Sequence, residues 1–225
     1  MDISRDAIDL IIAWEVGGGD RQAARPQYDR QYTHPHWPGN SASGLTIGIG
    51  YDLRFARSWF EGDWKAKLDA LQTPADAFDR LKAYVGLHGS TAAVRATRDI
   101  AIPWDDAISV FRVRRLPHFA DDAASAFPGL EAMNADVRGA LTSLVYNCGT
   151  GTQKASQVLK KAAYDHIRSA VAAGDIAGVA EGLRMMKAYH NRSPKVARGL
   201  NRRRDAEAEL VLQSAAQPSA AAAAP

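Results

Sequence analysis

The chain has 225 residues, 46% of them hydrophobic and 24% charged, close to the average of a globular domain and long enough to bury a real core. A single cysteine, Cys148, excludes an internal disulfide and a cysteine-based zinc cluster, and no run approaches the roughly 18 uninterrupted apolar residues of a membrane span. The net charge is +3, but eight Lys or Arg residues and no acid lie between Arg184 and Arg204, a patch expected to attract polyanions.

The opening residues predict a helix. Ser4 can cap it, Asp6 sits in its first turn, and Ile8, Ile11, Ile12 and Glu15 fall on one stripe, so a carboxyl group closes an apolar face. Gly17 to Gly19 then stop the helix, because glycine tolerates the left-handed conformation of a helix C-terminus. A helix-terminal carboxyl beside apolar neighbours is the kind of position from which a general acid works. The N-terminus carries acids where a secretion signal carries basic residues, so another route of export is expected.

From Asp20 to Ser43 the chain is turn-rich, and a loop or small hairpin region is expected rather than a second helix. His34 and His36 form an H-x-H pair without a third ligand at matching spacing, so no metal site is expected. In "SGLTIGIGYDL", Leu45, Ile47, Ile49 and Tyr51 alternate with Thr46, Gly48, Gly50 and Asp52. One face is apolar. The other is bare apart from two polar groups, as suits a surface against which a ligand lies.

Helical segments are expected from Phe55 to Leu87, with Pro74 as a start signal, and again from Pro103, where Asp105 and Asp106 fill the first turn. Pro117 and the pair Pro128-Gly129 read as punctuation. "DVRGALTSLVYNCG" places Val137, Ala140, Leu141, Leu144, Val145 and Cys148 in helical register and reads as the central core helix, ending at Gly149. Further helices are expected over about Ser156–Ala173 and Ile176–His190, with a last one starting near Pro194 or Leu200. Residues 213–225 are low in complexity and read as a disordered tail.

Taken in order, a helix ending in Glu15, the "TIGIG" strand, the "ALTSLVYNCG" helix and the "GLNRRRDAEAEL" run resemble the phage-type lysozymes, most closely their pesticin-like branch. The resemblance spans roughly residues 5 to 212. It implies a predominantly helical α+β, lysozyme-like fold in one catalytic domain, 1–212, with a small β-hairpin lobe over about 16–53, a larger helical lobe and a cleft between them. It also implies hydrolysis of the β-1,4 bond between N-acetylmuramic acid and N-acetylglucosamine in peptidoglycan, with no cofactor and no nucleic-acid partner. Glu15 matches the family's catalytic acid and Thr46 its TIGIG threonine. Many phage enzymes carry an aspartate six residues before that threonine, where this chain has Asn40; the pesticin-like branch carries it six residues after, where Asp52 stands.

Gly48, Gly50, Tyr51, Trp37, Asn147 and Arg203 are the candidate substrate-binding residues. Six residues of straight strand span about 20 Å, too far for residues sharing one glycosidic bond, so a bend or hairpin turn is expected at Gly48 to Gly50. Without it, Asp20 or Asp29 becomes the better second acid. An inactive wall-binding or virion structural domain and a lytic transglycosylase are the alternatives. A monomer is expected, made without a signal peptide and delivered to the periplasm or wall by a holin or a secretion apparatus, in the latter case with an immunity protein as partner.

Overall fold

The computed structural model describes residues 1–39, 42–71, 74–191 and 194–216. Among them the fold is predominantly helical with a single antiparallel pair of short strands, the α+β class that the sequence predicts. The chain divides into two compact units, Met1–Trp14 with the stretch from Leu116 onward, and Glu15–Arg115. The unit holding the strands therefore extends well past the 16–53 stretch assigned to it from sequence.

In the first unit, helix α1 (Arg5–Val16) contributes its residues up to Trp14. The Ala7 amide donates to the Ser4 hydroxyl at 3.0 Å, the expected cap. Helix α8 (Ala135–Cys148) is the central one: Val137, Ala140, Leu141 and Leu144 are fully buried. Asn134 caps its start by accepting from the amides of Asp136 and Val137, and Gly149, at φ +73°, closes its end. Gly139 lets α1 approach closely, since a Cβ there would lie 2.0 Å from that of Ala7. Helices α9 (Val158–Ala173) and α11 (Pro194–Ala216) pack against α10 (Ile176–His190), and α7 (Leu116–Ala126) and α11 pack against α8. Helix α11 takes in Gln213 to Ala216, which the sequence reading gave to a tail; residues 217–225 lie outside the described residues.

The basic run is less of a surface patch than its composition implies. Arg203 and Arg204 turn inward and meet the Glu207 carboxylate, at 3.2 Å and 2.8 Å, with all three side chains essentially buried. The Ser143 hydroxyl donates to the same Glu207 oxygen, and Arg203 donates to the Ser143 carbonyl. An exposed i,i+4 pair contributes only about 0.3–0.5 kcal/mol; here the charges lie in low dielectric, where each depends on the others. Lys187 pairs with Asp205 at 2.8 Å, and the Arg202 guanidinium lies 5.6 Å from the Trp14 ring centre. Arg192 and the Lys195 side chain lie outside the described residues.

The second unit corrects one expectation. Ala24–Gln31 is a helix, α2, not loop: only Ala24 and Tyr28 are buried, one turn apart, and the rest of its surface is polar, so no apolar stripe announces it. Tyr28 anchors it by donating to the Ile102 carbonyl at 2.9 Å. Helices α3 (Phe60–Asp69), α4 (Ala77–Lys82), α5 (Thr91–Ala96) and α6 (Trp104–Val110) follow. In α3, Phe60, Trp64 and Leu68 make the buried stripe. After α6 comes a π-helical turn, Phe111–Arg115, which leaves Val113 exposed. Leu116–Ala126 follows that turn without a break, so Pro117 does not end a helix: it stands directly after the π-helical turn, where the regular i to i−4 ladder is already interrupted.

Replacing Glu207 by Gln leaves two buried guanidinium groups without their carboxylate and should cost about 3–5 kcal/mol, read as a shift in the urea midpoint at constant slope. His190 gives a pH prediction. Burial, with the charges of Arg204 and Lys160, lowers its pKa to about 4, so the folded state refuses a proton that the unfolded chain takes near 6.5. Stability should fall as pH drops between those values, by at most about 1.4 kcal/mol per pH unit from this group, and His190→Gln should flatten that slope in urea titrations.

Candidate active site

The site grows from a turn. Strand β1 (Thr46–Ile47) pairs antiparallel with β2 (Tyr51–Asp52), Thr46 opposite Asp52 and Ile47 opposite Tyr51. Gly48 and Gly50 make the reversal at φ +54° and +63°, in the left-handed region that side chains avoid. The hairpin expected from the spacing is therefore present. Directly opposite residues carry Cβ atoms roughly 4.5–5.5 Å apart, against about 20 Å for the same residues on a straight strand. Leu45, Ile47, Ile49, Tyr51 and Leu53 are buried, and Thr46, Gly48, Gly50 and Asp52 line a pocket.

A third segment extends the ribbon. His36 pairs with Thr46 through two backbone hydrogen bonds, of 3.0 Å and 2.7 Å. Trp64 lies beneath the turn, 3.1 Å from where a Gly48 Cβ would stand.

Thr46, Gly48, Gly50 and Asp52 line a pocket of about 410 Å³ together with Glu15, Val16, Tyr32, His36, Pro38 and Ser43. Glu15, near the C-terminal end of α1, thus shares a concavity with both polar groups of the hairpin. Asp52 is tightly held. Its Oδ1 accepts from the Gly44 and Arg54 amides, each at 2.9 Å, so it also caps the 3-10 turn Leu53–Phe55. Burial raises its pKa above the usual carboxylate value, against the opposing pull of those amides and the Arg54 charge. A carboxylate so placed is a better proton acceptor than a free one.

The other expected site residues are not among those lining this pocket. Tyr51 is a core residue, not a sugar platform: it is buried, its hydroxyl donates to Asp63 at 2.9 Å, and its ring meets Trp64 edge-on. Trp37 packs at Gly89 and is not among the residues lining the pocket. Asn147 and Arg203 belong to the helical unit, where Arg203 serves the Glu207 cluster and Asn147 lies 3.5 Å from an Arg204 nitrogen. Asp20 accepts from the Gln22 amide ahead of α2, and Asp29 lies 3.9 Å from Arg25; neither lines the pocket. Asn40 lies outside the described residues. The two histidines of the H-x-H pair part company, His34 Nδ1 lying 3.0 Å from the Ile100 carbonyl while His36 faces the pocket. Val16, Tyr32, His36, Pro38 and Ser43 are the pocket residues that the sequence does not announce. The alternation of "HPHWPG" about its prolines is the signal that could have exposed His36.

A model of the phage lysozyme family matches residues 40–207. The chain belongs to the phage lysozyme family. Its activity class is accordingly that of a lysozyme-type glycoside hydrolase acting on peptidoglycan. The match covers the hairpin with Thr46 and Asp52 and begins after Glu15. Neither a curated protein nor a solved structure matches the chain.

Gly48→Ala should destabilise by about 1–2 kcal/mol, because alanine is strained at positive φ and its methyl meets Trp64. Gly62→Ala, in the first turn of α3 where a methyl meets nothing, should instead stabilise by up to about 0.5–1 kcal/mol. Urea midpoints of the two variants should move in opposite directions.

Proposed function

We propose that the pocket is the active centre of a muramidase that hydrolyses the β-1,4 bond between N-acetylmuramic acid and N-acetylglucosamine. The observation that carries this reading is the meeting of Glu15, Thr46 and Asp52 in one glycine-floored concavity. Glycoside hydrolysis needs a proton for the leaving oxygen and a stabilised or intercepted oxocarbenium-like centre. Glu15 supplies the proton. The Thr46 hydroxyl orients the attacking water, and Asp52 takes its proton or stabilises positive charge. Water held between hairpin and sugar attacks from the face opposite the leaving group, which inverts the anomeric carbon.

Gly48 and Gly50 allow the glycan backbone to approach. The six-residue step from Thr46 to Asp52 is the basis for placing the chain in the pesticin-like branch. The enzyme serves bacterial lysis in the periplasm or wall as a monomer, reaching it by a holin or a secretion apparatus.

Digestion of purified sacculi followed by mass analysis of the muropeptides tests the reading. Wild type should release fragments with reducing N-acetylmuramic ends, and Glu15→Gln should be slower by at least about 100-fold. Equal rates would remove Glu15 from the mechanism, and anhydro products would identify a lytic transglycosylase instead.

A further inference from the structure

His36, Thr46 and Asp52 form a row. Thr46 stands opposite Asp52 across the hairpin and opposite His36 across the neighbouring bridge. Directly opposed residues in antiparallel segments project from the same face, so the three side chains line up with Thr46 in the middle. Two steps of roughly 5 Å separate the outer pair, a span suited to a hexose ring lying across the threonine. All three line the pocket that Glu15 also lines.

The imidazole is fixed in place. Its backbone is bonded in both directions to Thr46, and its ring lies 4.9 Å from that of Tyr32, another lining residue. Pro35 and Pro38 restrict the chain on either side. Nδ1 is sealed from solvent, which leaves Nε2 as the ring nitrogen able to meet a ligand.

We propose that His36 is a substrate-positioning residue, its Nε2 exchanging a hydrogen bond with a hydroxyl or acetamido group of the sugar that lies across Thr46. The proposal rests on the reading of this pocket as a glycan site. Burial keeps the ring below its ordinary pKa, so at neutral pH it is uncharged and suited to a neutral sugar. Asp52 is held by backbone amides at one end of the row; His36 supplies a contact at the other.

The position of the nitrogen makes the proposal testable. Glutamine places its amide near the Nε2 position and asparagine near Nδ1. His36→Ala and His36→Asn should each raise KM on soluble glycan strands about tenfold with kcat little changed, the effect of one lost hydrogen bond, and His36→Gln should restore most of it. A second measurement leaves His36 intact: titration of Glu15→Gln protein with the tetramer of β-1,4 N-acetylglucosamine, followed through the imidazole 15N resonances. A shift at Nε2 that exceeds the shift at Nδ1 supports the contact. Unchanged KM in His36→Ala, equal rescue by asparagine and glutamine, or unmoved Nε2 during saturable binding overturns it. Sacculus digestion without a His36 response removes this inference alone, whereas a His36 response without digestion by wild type removes the hydrolase reading and keeps the sugar contact.

Discussion

Everything in the pocket depends on a reversal of direction at two glycines. Gly48 and Gly50 hold backbone angles that cost other residues about 1–2 kcal/mol each, and in return Thr46 is laid beside Asp52. The same reversal carries Ile47 and Tyr51 together into the interior, where Trp64 supports the turn from below. Side-chain chemistry and core packing are thus set by one choice of backbone hand. An extended segment would keep the alternation of the sequence and lose the site.

That turn was legible because two constraints met: the strict alternation from Leu45 to Leu53, and the distance at which groups acting on one bond must stand. The helices with continuous apolar stripes were equally legible, and Ile176–His190 has the bounds expected of it. What escaped has a common physical cause. Helix α2 buries only Ala24 and Tyr28, and it is anchored by a buried tyrosine whose ring meets Trp104 and whose hydroxyl reaches a carbonyl 74 residues away. No local pattern encodes such a partner. Pro117 reads as a break because proline lacks an N–H, yet it follows a π-helical turn in which the regular ladder is already interrupted.

The site shows the same division. Glu15, Thr46 and Asp52 were found by motif and spacing, and they share the pocket. Tyr51 failed as a sugar platform for a reason present in the sequence itself, since it occupies the apolar register of the alternation. Arg203 sits in a run of basic residues that looks like surface until its buried acceptor, Glu207, is known to lie one turn further along. His36 reads from sequence as half of a histidine pair, whereas its backbone pairing with Thr46 exists only in the folded chain.

The Glu207 cluster bears on how this sequence can change over time. Arg203, Arg204 and Ser143 all converge on a single carboxylate oxygen away from water. Losing any one member strands another, while exchanging the whole set for apolar groups of similar volume is close to neutral or favourable. Divergence at these four positions is therefore expected to proceed in concert, with descendants keeping the set or discarding it entire, and single replacements surviving only where spare stability exists elsewhere in the chain.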